Sequence, residues 1–452
     1  MNTKNLLVAC ATLALGCQPT EETPPPPVGS AFSVRAGGSS CDLGVEVATG
    51  ADGRVALVGT FEGTVDFGGG PLESAGSSDI GFATWDAEGK PGTSLRFGGP
   101  AQDGVPRVVA GGNGSWVIAV NTQNELDLGG GPLMPPGAAG AAIGKLDADG
   151  NHVFSTMLGA TVSGLSAGPE DTLLATGSYS GMLVLGSETL TSAGATDVFV
   201  TKLDGMGAPT WAKSFGGTGL ESGMDVAVDR SGNVFLGGGV LAAVDFGGGP
   251  IEVAGGVDAV LVKLDANGNH VFTKRFGDVA DQVIQAVATD EGGNVFVAGL
   301  FEGRLDFGAG ELTAQSRDLF VAKLDPSGAE LWARAFRLTS AEWDDSAPRI
   351  AADPKGGVVV TGTFTTAVNL GGAALEGLGQ TDVYFARYDA TGQHVQSRAL
   401  GDPSYQLAGG VAVDGSGAAI LTGSFYGTVD FGQGPLTSAG DCDIYLARFA
   451  AP

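Results

Sequence analysis

Basic residues are scarce in this chain of 452 residues. Lys and Arg total 23 against 50 Asp and Glu, a formal charge of −27. That balance disfavours nucleic acid as a partner, because such affinity comes from neutralising phosphates with Lys and Arg. It favours cations or a basic protein face instead. Histidine is scarcer still, with only His152, His270 and His394. Long apolar runs are missing apart from Leu6 to Leu15, which is too short to span a bilayer permanently. No stretch of the mature chain carries helical periodicity with caps, so a helical fold is set aside. Charged residues make up 16% in all, and mean hydropathy is +0.17. Disorder needs the opposite combination.

Glycine is abundant, with 78 residues, and much of it is periodic. A VDFG-type anchor falls at Asp66, Asp127, Val184, Asp245, Asp306, Asn369 and Asp430, and an LD anchor at Asp86, Asp147, Asp204, Asp265, Asp325 and Asp389. Both keep a step of about 60 residues, the signature of stacked supersecondary units. One unit reads as four short strands: A (226–229), B (234–240), C (259–265) and D (270–277), each β-branched or aromatic and bounded by Gly, Asn and Asp. Seven residues before the anchor stands Gly59, Gly177, Gly238, Gly299, Gly362 or Gly423. A glycine inside a strand marks close approach of another backbone. Four-stranded sheets repeated radially make a β-propeller.

Seven anchors give seven blades, but the last copy stops after strand C, at 443–449. The missing strand D stands at the other end: FSVRAGG (32–38) aligns with WAKSFGG (211–217). The fold expected is therefore all-β, a seven-bladed β-propeller of four-stranded antiparallel blades over 31–452, closed by an N-terminal strand that completes the last blade.

The first residues supply an address. Lys4, the apolar run and Gly16-Cys17 resemble a bacterial lipoprotein signal over 1–16, with Cys17 as the lipidated residue. Residues 17–30 then form a Pro-rich tether. The expected location is the cell envelope, lipid-anchored at the outer membrane, with the protein monomeric. In the mature chain two cysteines are left, Cys41 beyond the latching strand and Cys442 before strand C of the blade it joins. An oxidising envelope permits a disulfide there; two free thiols are the alternative.

Chemistry is thin. The histidines share one repeat position in alternate blades, too far apart for one metal ion, so no metal or cofactor site is expected beyond weak Ca²⁺ binding at D-x-x-G-N turns. Gly164 to Gly168 matches G-x-S-x-G without the strand-to-helix elbow or His partner that motif needs. The turns at 203–211 and 324–332 resemble the Asp-box of sialidase-type propellers, in which Asp204 and Asp325 tie their own turns. The blade 6 loop from Arg337 to Pro348 is longer than its equivalents and carries Trp343, Asp344 and Asp345. With Asp402 and Tyr405 of the neighbouring loop, it is the candidate ligand-contact site.

The consensus VAVDxxGNVFVxGxFxGxVDFGGGPLTSAGxxDxFVAKLD resembles the SBBP-type bacterial β-propeller repeat over about 34–452. Blades 2 and 3 depart most: blade 2 lacks the Asp before strand C and blade 3 has Val184 at the anchor. The resemblance implies fold and envelope location and supplies no catalytic residues. The function expected is non-enzymatic binding or scaffolding, toward an unknown protein or glycan. Two alternatives are a carbohydrate-active enzyme and a subunit of an outer-membrane assembly complex. The first needs a convergent site on one face, such as an arginine cluster or paired carboxylates with Tyr, whereas Arg107, Arg304, Arg337 and Arg349 are scattered over blades.

Overall fold

The D-x-x-G turn builds the blades. Asp229 Oδ1 accepts the N–H groups of Ser231 at 2.8 Å and Asn233 at 2.9 Å, while Gly232 takes φ +80°. That left-handed backbone is open to glycine and strained for most other residues. Asp265 holds the C–D turn through Asn267 and Asn269 in the same way. Asp204 and Asp325 likewise tie theirs. The two turns fold the β-branched runs back on themselves as antiparallel hairpins.

A computed structural model describes residues 30–218, 224–338 and 347–452. It contains seven four-stranded antiparallel sheets, each in the order A-B-C-D. In the fourth blade the strands are Asp225–Val228, Val234–Val240, Asp258–Leu264 and His270–Phe276, within one residue of the sequence reading. The VDFGGGP connection is a further two-stranded ribbon, Val244–Asp245 with Pro250–Ile251. Asp245 Oδ1 fastens it by accepting from Gly247 at 2.7 Å and Gly249 at 2.9 Å.

The seventh sheet closes the ring. Strand Ser30–Ala36 runs antiparallel to Asp443–Phe449, in register from Phe32 opposite Arg448 to Ala36 opposite Ile444. Arg35 pairs with the buried Asp443 at 2.5 Å. A disulfide joins Cys41 and Cys442 across a sequence separation of 401, with Cα atoms 4.3 Å apart. Strand alternation sends successive side chains to opposite sheet faces, so each blade feeds the two cores beside it. Val55 and Leu57 pack with Ile444 and Leu446 of the last blade. Ala56 and Val58 pack with Ile118, Val120 and Ala142 of the next blade.

Cations from strand C clasp adjacent blades. Lys263 Nζ donates to the carbonyl of Pro326 at 2.6 Å, Lys323 to Gly356 at 2.7 Å and Arg387 to Gly417 at 2.6 Å. At three of the strand-interior glycines the backbone that comes close is that of strand A. A Cβ on Gly59, Gly299 or Gly423 would meet the carbonyl of Leu43, Val283 or Leu407 at 1.9–2.3 Å. These carbonyls belong to strand A of the same blade, beside its β-bulge. At these three positions the nearest backbone belongs to the same sheet.

Candidate functional site: the axial channel

The innermost strands line a channel along the ring axis, with a cavity volume of about 790 Å³. Strand A carries a register shift at Gly44/Glu46, Val162/Gly164, Ile284/Ala286 and Ala408/Val411, and a bulge re-aims the side chains beside it. One column of the repeat, nine residues before strand B begins, reads Glu46, Arg107, Gly164, Asp225, Ala286, Arg349 and Gly410 around the ring. Glu46, Arg107, Asp225, Arg349 and Gly410 all line the cavity. The small residues between them leave room for the long side chains to project.

Both acids also tie one blade to the next. Glu46 Oε2 accepts the N–H of Val108 at 3.3 Å, and Asp225 Oδ2 accepts that of Val287 at 2.9 Å. The opposite charges are not collapsed into tight pairs. Arg107 stands 3.8 Å from Glu46. Among the described residues, neither Asp225 nor Arg349 has an oppositely charged group within 4.0 Å; Arg349 Nη1 makes a long bond to the carbonyl of Pro348 at 3.4 Å. Burial raises the Glu46 and Asp225 carboxyls above the usual range, against the pull of Arg107 and Arg349. Burial, reinforced by the like charge of Arg107, lowers the Arg349 guanidinium. Unscreened charges interact strongly in such a site. Gln285 Oε1, on the same wall, is buried without a hydrogen-bond partner among the described residues.

The residues singled out in the sequence lie elsewhere. Cys17, Trp343, Asp344 and Asp345 fall outside the described residues. Asp402 and Tyr405 share a loop on the rim and do not line the channel. Asp402 is engaged internally: Oδ1 accepts from Ser404 at 2.7 Å and Gln406 at 2.6 Å, and Oδ2 from Thr428 at 2.7 Å. Burial opposes its ionisation, but these donors hold its carboxyl below the usual range. Tyr405 is 44% exposed and meets Tyr426 edge-on at 6.0 Å. Each histidine packs over the glycines of its ribbon: a Cβ on Gly248 would lie 2.3 Å from the His270 ring. Ser166 sits within strand Thr161–Ala167.

No family model matches the chain. It is 26% identical over 248 residues to the regulatory protein FlaEY of Caulobacter vibrioides, an alignment covering 50% of this chain and 25% of that one. The chain therefore spans about a quarter of the length of that curated relative. A puromycin hydrolase has the same kind of fold at 12% identity and TM-score 0.46, covering 87% of this chain and 54% of that one. A glucose dehydrogenase does so at 11% identity and TM-score 0.37, covering 93% and 100%. At this level the likeness shows the fold alone.

The expectation that the protein is not an enzyme is corrected. Proteins with this fold include a hydrolase and a dehydrogenase, so a propeller gives no ground for excluding catalysis. The sequence argument behind that expectation also fails in part. Arg107 and Arg349, read as scattered, share one column and face one cavity. The column keeps one offset from every VDFG anchor, twenty residues before it, so the register of the repeats contains it.

Proposed function

We propose that this is a cell-envelope β-propeller, tethered through lipidated Cys17, that binds a small polar ligand in its axial channel. The observation that carries the binding site is the column of two acids and two arginines around one cavity, with Asp225 and Arg349 each lacking a close counter-charge among the described residues. Ligand pockets of this order of volume, with a few converging polar groups, are common binding sites. The anchor rests on the residues around Gly16-Cys17. The first described strand begins on the same face as the A–B and C–D turns, which would leave the opposite loop face directed away from the bilayer.

Two experiments test this reading. Purified protein is incubated with a small-molecule extract and gel-filtered, and the co-eluting compounds are identified by mass spectrometry. The expected result is a compound retained by the wild type and lost from Arg349→Ala; no difference between the two sinks the channel as a site. Cys17→Ser should move the protein from the membrane to the soluble fraction, and continued membrane association would sink the anchor.

A second reading, as a subunit of an envelope assembly, is favoured by exposed apolar side chains on the loop face. Met134, Met182, Leu241, Val279 and Leu378 are each more than half exposed there. Cross-linking in intact cells followed by purification should then capture one stoichiometric partner protein.

A further inference from the structure

From the arrangement of charge in the channel we infer the class of ligand: a small zwitterion carrying an ammonium and a carboxylate, such as a short peptide. The inference rests on the channel being a binding site. Around the ring the column runs acid, base, Gly, acid, Ala, base, Gly, so formal charge at this level sums to zero. A ligand with one sign of charge would leave half of these groups facing an uncompensated field. A ligand with both signs satisfies them together.

The unequal engagement of the four groups gives the polarity. Glu46 and Arg107 face each other at 3.8 Å. Among the described residues, Asp225 accepts the N–H of Val287, and Arg349 donates a long bond to the Pro348 carbonyl. Blade 5 stands between them, and Ala286 there offers no side chain beyond Cβ. The same blade presents Gln285 Oε1, a buried acceptor with no donor among the described residues. Asp225 and Gln285 are acceptors for an ammonium, while Arg349 offers the planar donor fork that suits a carboxylate. A buried group left unpaired is costly, so a site of this kind discriminates strongly against analogues lacking one charge.

The test uses L-alanyl-L-alanine, its N-acetyl derivative without the ammonium, and its C-terminal amide without the carboxylate, each titrated calorimetrically into the full propeller. The free dipeptide should bind at least tenfold more tightly than either blocked form. Asp225→Asn should erase the preference against the N-acetyl form alone, and Arg349→Gln the preference against the amide alone. A merely structural role for either residue would not separate the two preferences. Circular dichroism and gel filtration establish that both variants keep the fold. Equal binding of all three probes, or a preference for one blocked form, overturns the zwitterion while leaving the channel as a site. No binding of any probe, together with extract compounds retained through Arg349 that carry one sign of charge, also overturns it. Absence of any Arg349-dependent retention removes the underlying site itself.

Discussion

Asp103 is buried, and its carboxyl is pushed up to about 6, first by burial and then by Asp79, against the Gly99 N–H and Arg96. The two carboxyls crowd one glycine: a Cβ on Gly98 would lie 2.4 Å from Asp103 Oδ2 and 2.8 Å from Asp79 Oδ1. A carboxyl whose native pKa lies above its unfolded value binds a proton more tightly when folded. Its contribution is most favourable at low pH and is lost as pH rises from about 4 through 6. Two other junctions carry Gln282 and Gln406 at the equivalent position, where each side-chain oxygen accepts the backbone N–H that Asp103 accepts here. Asp103→Gln should therefore stabilise the protein at pH 7.5 by up to about 3 kcal/mol, with the gain shrinking toward pH 4. Urea midpoints at the two pH values measure it. The sequence shows the Asp in its loop but not the second carboxyl beneath it, because the two meet only after strand C is paired. The axial column was hidden for a related reason. Which strand lies nearest the axis, and where its bulge turns a side chain inward, are facts of tertiary packing.

Between elements, the strand C cations hold blade to blade. Lys323 Nζ bonds Gly356 of the next blade and lies 2.9 Å from Asp290, with both side chains almost fully buried. Burial works against ionisation of Asp290, but Asn294 and Lys323 keep its carboxyl below the usual range. Removing one partner of such a pair strands the other, so Lys323→Met should destabilise by about 3 kcal/mol. Lys323→Met with Asp290→Asn should recover part of that loss, as chemical denaturation will show. The strands themselves were legible because turn residues are local signals: Asp229, Gly232 and Asn233 bound strands A and B wherever they occur. The ribbon inside VDFGGGP was not, since Val244 pairs with Ile251 over only two residues per strand. The disulfide adds its own restraint. Cys41→Ser with Cys442→Ser should cost no more than about 6 kcal/mol of stability for a loop of this length, read from the urea midpoint, while far-UV dichroism stays that of a β protein.

At the scale of the whole molecule, seven cores lie between seven blades, and the ring has no open sheet edge at the join because Ser30–Ala36 covers Asp443–Phe449. Deleting residues 30–36 would bare that strand to pairing with another chain. Size-exclusion chromatography with light scattering should then find dimers or larger species where the intact propeller runs as one mass. The count of blades and the site of closure were legible from the register of the repeats alone, since a missing strand D at one end and a surplus one at the other admit a simple pairing.

That pairing also sets a clock on biosynthesis. The strand translated first has to wait for the strand translated last, and 413 residues separate Ala36 from Phe449. At roughly 5–20 residues per second, the delay is about 20–80 s. A chain cut short by a premature stop codon ahead of Asp443 would never receive its mate, so quality control in the producing cell meets an arc with two bare rims rather than a slightly shorter finished protein.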